Sequence, residues 1–359
     1  MRSSSVFHPR NPCHPCSNCA ARKNTDDTDF ADRAQRYLAC VLVALWIGCP
    51  SATLAEDFPT ELVKFKQHGD KPVFTAAGPG TWEVKIRERG WIHLDPTANE
   101  ANAKPRYRMW YTGYDGTREG IKRLGLATSP DGIAWTRHKD NPISDQHWVE
   151  DVMVVPAGGR ASRSLPGGSQ QPGSQLLIWH MFAEGKDDQA QLLTSRDGVK
   201  WQRAGQLDVR KVNGQPIEPG PYGTPTAWLE GVWHLFYERS DAGVWLATSP
   251  DLKVWTNVSD EPVLRPGQGL HDRDLIAMNQ IVKHKGRYYT YYHGSAKGET
   301  PSLWSTCIAV SDDLRSWKKY DGNPILPREL NRSSGILIRD GERTRLYTMH
   351  SEVWLHESP

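Results

Sequence analysis

Cysteine almost vanishes after the first 49 residues. Of six in the chain, Cys13, Cys16, Cys19, Cys40 and Cys49 crowd the N-terminal side and only Cys307 lies beyond. One cysteine cannot close an internal disulfide, so a domain after residue 55 must be held by packing. An excess of charge is also missing. Lysine plus arginine number 44 against 42 acidic residues, a net charge of +2, which argues against a nucleic acid or other polyanionic partner. Long apolar runs are lacking except Tyr37 to Gly48, YLACVLVALWIG, which falls short of the roughly 20 residues of a membrane span. No membrane span is therefore expected in the mature chain.

That run has the length of a secretory h-region, with Arg33 and Arg36 before it and the small residues of PSATLA after it. Residues 1–55 accordingly read as an N-terminal extension and export signal, and 56–359 as the working domain in a periplasmic or extracellular setting. Cys49 after Ile47-Gly48 is the alternative, a lipoprotein cysteine, but Trp46 suits that signal poorly. The CHPCSNC stretch has metal-ligand spacing, yet it stands upstream of the export run, so no zinc site is assigned to it.

Glycine (31), proline (25) and tryptophan (15) are plentiful, which suits a turn-rich β protein. SPDGIAW at 129 recurs as SRDGVKW at 195, SPDLKVW at 249 and SDDLRSW at 311. Each copy follows a strand-like segment (LGLATS, AQLLTS, VWLATS, STCIAVS), and an aromatic strand stands further upstream (YRMWYTG, LLIWHMFAEG, VWHLFYER, RYYTYYHG). Three copies leave through a proline-centred exit, DNPI, DEPVL and GNPIL. The order inner strand, aromatic strand, third strand, turn, outer strand is that of a propeller blade. A fifth unit, SSGILIRDG and RLYTMHS, ends without its turn, so LVKFKQHGDKPVF (62–74) is expected to supply the missing outer strand. The fold class is all-β: a five-bladed β-propeller of four-stranded antiparallel blades around a central channel. The insertion at 157–175 reads as a Gly/Ser/Pro/Gln hairpin tip within the second blade.

Aligning the units places Glu88, Asp151, Thr224, Asn279 and Ser334 at the starts of the inner strands, and Thr112, Glu184, Glu238, His293 and His350 at the ends of their neighbours. A single polar strand tip is ordinary, but ten converging on one axis suggest a pocket. Several carboxylates in one pocket equip it for glycoside hydrolysis, where one acid protonates the leaving oxygen and another activates water or attacks carbon. Glu88 and Asp151 are the first candidates for base and supporting carboxylate, with Glu150 beside them. Glu184 and Glu238, behind aromatic walls, are candidates for the acid. Glu83 replaces Glu88 if the first-blade register slips. Tyr222, Thr224, Asn279, His293, Ser334 and His350 are candidates for holding substrate, and Asp272 for reaching the rim from its loop. Trp91, Trp148 and Trp228 are the aromatic faces for stacking on sugars.

YRMWYTGYDG, LGLATSPDGIAWTRHKDNPI, WHLFYER, LATSPDLKVWTNVSDEPVL and KGRYYTYYHG together resemble the five-bladed propeller glycosidases of glycoside hydrolase families 43 and 32. The resemblance runs from about Pro72 to His356. It implies an exported enzyme, a monomer, acting on an oligo- or polysaccharide without a cofactor, or with only a central structural ion such as calcium. It also implies an acid at the first inner strand, matched by Glu88, a second at the next blade, matched by Asp151, and a glutamate opening the third blade. Thr224 stands at that last position, so Glu218 or Glu238 would have to substitute. Two alternatives remain open: a phosphorylase resembling family 130, with Arg87, Arg89, His293 and His350 available for phosphate, and a propeller that binds glycan without cleaving it.

Overall fold

The computed structural model describes residues 57–359 except 96, 99–105, 145–146, 158–176 and 218–221. The expected export segment with its five cysteines, Glu218 and all but the first residue of the 157–175 insertion lie outside the described residues. Five small sheets make up the described fold. Blade one is β2 (Lys85–Leu94), β3 (Tyr107–Tyr114), β4 (Arg123–Ser129) and β5 (Thr136–Arg137). Blade two is β6 (Glu150–Ala157), β7 (Ile178–Glu184), β8 (Ala190–Ser195) and β9 (Gln202–Gln206). Blade three contains β10 (Asp208–Arg210), β11 (Gly223–Glu230), β12 (Val232–Glu238), β13 (Val244–Ser249) and β14 (Val254–Asn257). Blade four is β15 (Leu275–His284), β16 (Arg287–Ser295), β17 (Ser305–Ser311) and β18 (Lys318–Lys319).

The chain closes its own ring. Blade five takes β19 (Ile336–Asp340), β20 (Arg343–Met349) and β21 (Val353–Glu357) from the C-terminal end and β1 (Lys66–Gln67) from the N-terminal side. Lys66 pairs with Glu357 and Gln67 with His356, antiparallel, as the missing outer strand required. One blade departs from the four-stranded expectation. β10, which follows β9 directly, crosses to blade three and pairs parallel with β14, burying Val209. Three residues in parallel register leave no turn signal, so the pattern of hairpins could not reveal this strand. Among the described residues, no helix is long and apolar enough to cross a membrane.

The recurring turn is a hydrogen-bonded clasp. Ser129 Oγ accepts from the Gly132 N–H at 2.8 Å, and Asp131 Oδ1 accepts from the N–H groups of Ile133 and Ala134, both at 2.8 Å. Ser195 and Asp197, and Ser311 and Asp313, repeat the arrangement, which is the side-chain mimicry of a backbone turn. The fourth residue is left-handed in all four copies: Gly132 and Gly198 adopt φ 76° and 75°, and Leu252 and Leu314 adopt 67° and 64°. The turn tryptophan then packs on the preceding blade. Trp201 meets Trp110 with ring centres 6.1 Å apart, Trp255 meets Phe182 at 6.0 Å, and Trp317 meets Phe236 at 6.0 Å, all edge to face. The exits explain themselves likewise. Asn141 Oδ1 accepts from the Leu126 N–H and its amide donates to the Leu126 carbonyl and the Tyr111 hydroxyl; Asn323 does the same with Ile308 and Tyr292. These contacts tie the outer edges to their own blades and to the preceding ones, leaving the inner strand starts free for other work.

Candidate active site

Every inner strand begins at one mouth of the channel, here the upper mouth, and four of the five are bulged there. Pairing slips between Arg87 and Trp91 in β2, Glu150 and Met153 in β6, Gly223 and Thr226 in β11, and Met278 and Gln280 in β15. A bulge leaves a residue unpaired and turns its side chain off the sheet's alternation. The residues released are Glu88 with Arg89 and Gly90, Asp151 with Val152, Thr224 with Pro225, and Asn279. Asp151, Thr224 and, in blade five, Ser334 hold φ at 48°, 43° and 57°. For a β-branched threonine this region is a genuine outlier, and such strain costs on the order of 1–3 kcal/mol per residue. Three strained residues at equivalent places around one axis make this ring the candidate site.

Two clefts open at this mouth, with Arg87 and Tyr114 common to both. One of about 570 Å³ lies between the β3–β4 and β7–β8 loops and is lined by Glu150, Trp148, Lys122 and Asp188 among others. The second, about 510 Å³, lies toward blade five and is lined by Glu88, His350 and Glu352. Arg87 donates from Nε to Glu150 at 2.8 Å and stands 3.7 Å from Glu88. Trp148 donates its indole N–H to Glu150 at 2.5 Å. Lys122 sits between the rings of Tyr114 and Trp148, 4.5 and 4.4 Å from their centres, and donates to the Gly120 carbonyl.

Burial works against ionisation of the acids of the ring. Burial pushes Asp151 up to about 7, with the charge of Glu88 adding to it and Arg89 and Arg87 opposing. Among the described residues its Oδ1 has no hydrogen-bond partner. Burial raises Glu88 too, against the pull of Arg87, although 20% of its side chain remains exposed. Glu184 and Glu238 face each other across Gly223, where an added Cβ would stand 2.3 Å from one carboxylate and 2.5 Å from the other. Glu184 accepts from the Thr224 N–H at 3.0 Å, and Glu238 from the Gly223 N–H at 2.9 Å and from the Asp241 N–H. Both are raised by burial, Glu238 to about 8. Their oxygens are thus engaged in fixing the strained start of β11, which makes them a frame for the site and weakens their candidacy as its acid.

The other candidates divide clearly. Asn279 donates to His293 Nδ1 at 2.8 Å, while among the described residues its Oδ1, Ser334 Oγ and His350 Nδ1 have no hydrogen-bond partner. Burial holds His293 down to about 3 and His350 to about 4, so both imidazoles are neutral. Three sequence candidates lie elsewhere. Glu83 is ion-paired to Arg137 of β5, and Asp272 is bound by Lys319 of β18, by the Tyr292 hydroxyl at 2.9 Å and by His271 at 3.3 Å. Both acids are buried against the outer part of a blade, where ion pairing rather than catalysis explains them. Tyr222 turns away from the axis, its hydroxyl donating to the Leu207 carbonyl at 2.7 Å and its ring packed on Tyr237. Trp91 and Trp228 line a separate recess of about 530 Å³ formed by the far halves of the inner strands.

One residue was missed, and a second, Arg89, was read only as a cation for phosphate. Asp241, in the β12–β13 hairpin, is raised to about 7 by burial and by the charges of Glu88 and Asp151, which brings it into the acidic group. Arg89 is fully buried and donates to Thr226 Oγ1 at 2.6 Å, to the carbonyls of Met278 and Asn279 at 3.3 Å and Pro225 at 3.0 Å, and to the Asp151 carbonyl. Its guanidinium therefore crosses the channel from blade one to blades two, three and four. A central calcium does not fit beside it, because the interior already holds a cation bound to the carbonyls such an ion would use. Among the described residues, no group of three or more histidine, cysteine, aspartate or glutamate side chains is arranged to hold a metal.

No protein-family model matches the chain. A curated relative, the 1,2-β-oligomannan phosphorylase of Thermoanaerobacter sp. (strain X514), is 22% identical over 299 residues, 75% of this chain and 84% of that protein. Among solved structures, a glycosyl hydrolase from Bacteroides ovatus superposes with a TM-score of 0.59 at 16% identity, covering 82% of this chain and 92% of the other. A third comes from glycoside hydrolase family 130, mannoside phosphorylases among which are hydrolases that target β-1,2-mannosidic linkages in Candida mannan. It has a TM-score of 0.57 and 16% identity over 82% of this chain and 93% of that one. At these identities the likeness is one of fold.

Proposed function

We propose that the chain cleaves a glycosidic bond at the upper mouth, with Asp151 as general acid and Glu88 as base. The observation that carries this reading is the Asp151 carboxyl itself: buried in a strained bulge, with Oδ1 unpartnered, and pushed to about 7, where a carboxylic acid still has a proton to give. In hydrolysis the Asp151 proton passes to the leaving oxygen as its bond to the anomeric carbon breaks. Glu88 takes a proton from the water whose oxygen forms the new bond. Arg87, between Glu88 and Glu150, steadies Glu88 as an anion, and Trp148 and Tyr114 offer faces to a sugar ring.

The relatives point to a β-mannoside as substrate. They also favour a second reading, phosphorolysis, in which phosphate replaces water and one acid suffices. Arg87, Arg118, Lys122 and Lys186 around the larger cleft supply cations for it. Export of the mature chain from residue 56 belongs to the same proposal and rests on the N-terminal apolar run. A digestion screen of manno-oligosaccharides with and without inorganic phosphate tests both readings. Free sugar regardless of phosphate supports hydrolysis, and a sugar 1-phosphate formed only with phosphate supports phosphorolysis. Intact oligosaccharide under both conditions, or full turnover by Glu88→Gln and Asp151→Asn, would sink the assignment.

A further inference from the structure

We propose that Arg89 is a positioning residue for Asp151: a cation built into the propeller axis that holds the Asp151 main chain in its bulge and sets the charge its carboxyl feels. The inference rests on the catalytic reading of Asp151 above. Its basis is geometric. Asp151 occupies the left-handed region without glycine's freedom, so the surroundings must impose that conformation. The Asp151 carboxyl accepts from the Arg89 main-chain N–H and its carbonyl receives Arg89 Nη2, and the same guanidinium fixes the carbonyls in the bulge of β11 and around that in β15. Thr226 completes the clamp by accepting from Arg89 and donating to the Met278 carbonyl at 2.8 Å. One planar fork thus sets three bulges against one another, a task for which lysine's single ammonium lacks the geometry.

Space is arranged for this crossing. Gly90 follows Arg89, and a Cβ there would stand 2.6 Å from both Met349 Cε and the Trp110 carbonyl. The absent side chain lets β2 lie close against β3 and against Met349 of β20 at this point. Blade five, which Arg89 does not reach, is joined instead by Gln280, whose amide accepts from the Leu337 N–H at 2.6 Å and donates to the Leu337 carbonyl at 3.0 Å. The electrostatic part follows from the same placement. A fixed positive charge beside a buried carboxyl favours its anion, so Arg89 limits how far burial raises Asp151. Burial brings Arg89 down to about 10, and it stays charged at neutral pH.

The test is the pH dependence of kcat/KM in the full chain for wild type, Arg89→Lys and Arg89→Met. Loss of the cation raises the Asp151 pKa, so the basic limb in Arg89→Met is expected to move up by about one unit while kcat falls at least about tenfold. Arg89→Lys, which keeps the charge and loses the fork, is expected to lower kcat with the limb near its wild-type place. A purely structural arginine would change melting temperature and kcat without moving the limb in Arg89→Met, and that result overturns the proposal. Should Arg89→Met not fold, Arg89→Lys with kcat unchanged overturns it instead. Asp151 also titrates in the carbon-13 carboxyl spectrum, read against Asp151→Asn. A catalytically silent Asp151→Asn would remove the catalytic reading, yet an Asp151 titration displaced in Arg89→Met would still uphold the electrostatic coupling.

Discussion

The four outer turns and the five inner strand starts occupy equivalent places in equivalent blades, yet they have gone opposite ways. Each turn keeps serine, aspartate and tryptophan, and each aspartate there accepts backbone N–H groups. Partial burial opposes ionisation of Asp131, Asp197 and Asp313, but those N–H donors and the neighbouring serine outweigh it and hold the carboxyls below their ordinary value. At the strand starts the residues are Glu88, Asp151, Thr224, Asn279 and Ser334, no two blades alike in backbone strain and partner together. Their acids are pushed up by burial. Aspartate is thus a readily ionised clasp at the rim and an acid slow to ionise at the axis. Where every copy does the same structural job the sequence repeats, and where the copies share one asymmetric task it diverges.

Exchanging the two kinds of aspartate gives the largest contrast. Asp151→Asn is expected to cost about 10²–10⁴-fold in kcat/KM with little change in melting temperature, while Asp131→Ala leaves kcat/KM unchanged. Steady-state kinetics beside thermal melts checks both. The same methyl group added in each region sharpens the contrast. Gly132→Ala places a Cβ at φ 76° and 2.5 Å from the Tyr347 hydroxyl, so a stability loss of about 1–3 kcal/mol with normal kcat is expected from urea unfolding. Gly223→Ala instead displaces Glu184 and Glu238, and activity should fall by more than stability does.

Acid and base should then pull stability from opposite sides. Ring acids with raised native values, Asp151 and Asp241 near 7 and Glu238 near 8, bind protons that the unfolded chain releases above about pH 4. Their contribution is complete below that point and is lost as pH climbs through 7 to 8. The turn aspartates contribute above about pH 4 and lose it as pH falls through their lowered values. Melting temperature should therefore peak near pH 4–5 and decline by pH 8.5. Glu238→Gln should flatten only the alkaline decline. The smallest effect is expected of Asp131→Ala, about 1 kcal/mol at neutral pH for two backbone N–H groups returned to water, with the difference from wild type disappearing on the acid side of a pH series.

Much of this was legible from spacing. The turns counted out the blades, the truncated fifth unit foretold β1, Glu88, Asp151, Thr224 and Asn279 fall where the inner strands bulge, and Ser334 falls just before the fifth inner strand. What spacing could not show is which carboxyls are already engaged. Glu83 and Asp272 are acids near inner strands, but their cations, Arg137 and Lys319, lie 54 and 47 residues away in outer strands. Arg89 was read only as a cation for phosphate, and its place on the axis escaped because strict alternation assigns neighbours Glu88 and Arg89 to opposite faces, and the bulge cancels alternation there. Gly90 was the available signal, a glycine where a strand has no turn to make. Asp241 lies in a hairpin whose length varies between blades, so no register marked it.

Leaving-group dependence tests the central claim most directly: that Asp151 donates the proton at bond cleavage. Asp151→Asn should be compared with wild type on a mannoside carrying an activated nitrophenolate and on one carrying a sugar leaving group. The account predicts a loss of about 10²-fold or more on the sugar and a far smaller one on the nitrophenolate, which departs without a proton. Equal losses on the two substrates would contradict it.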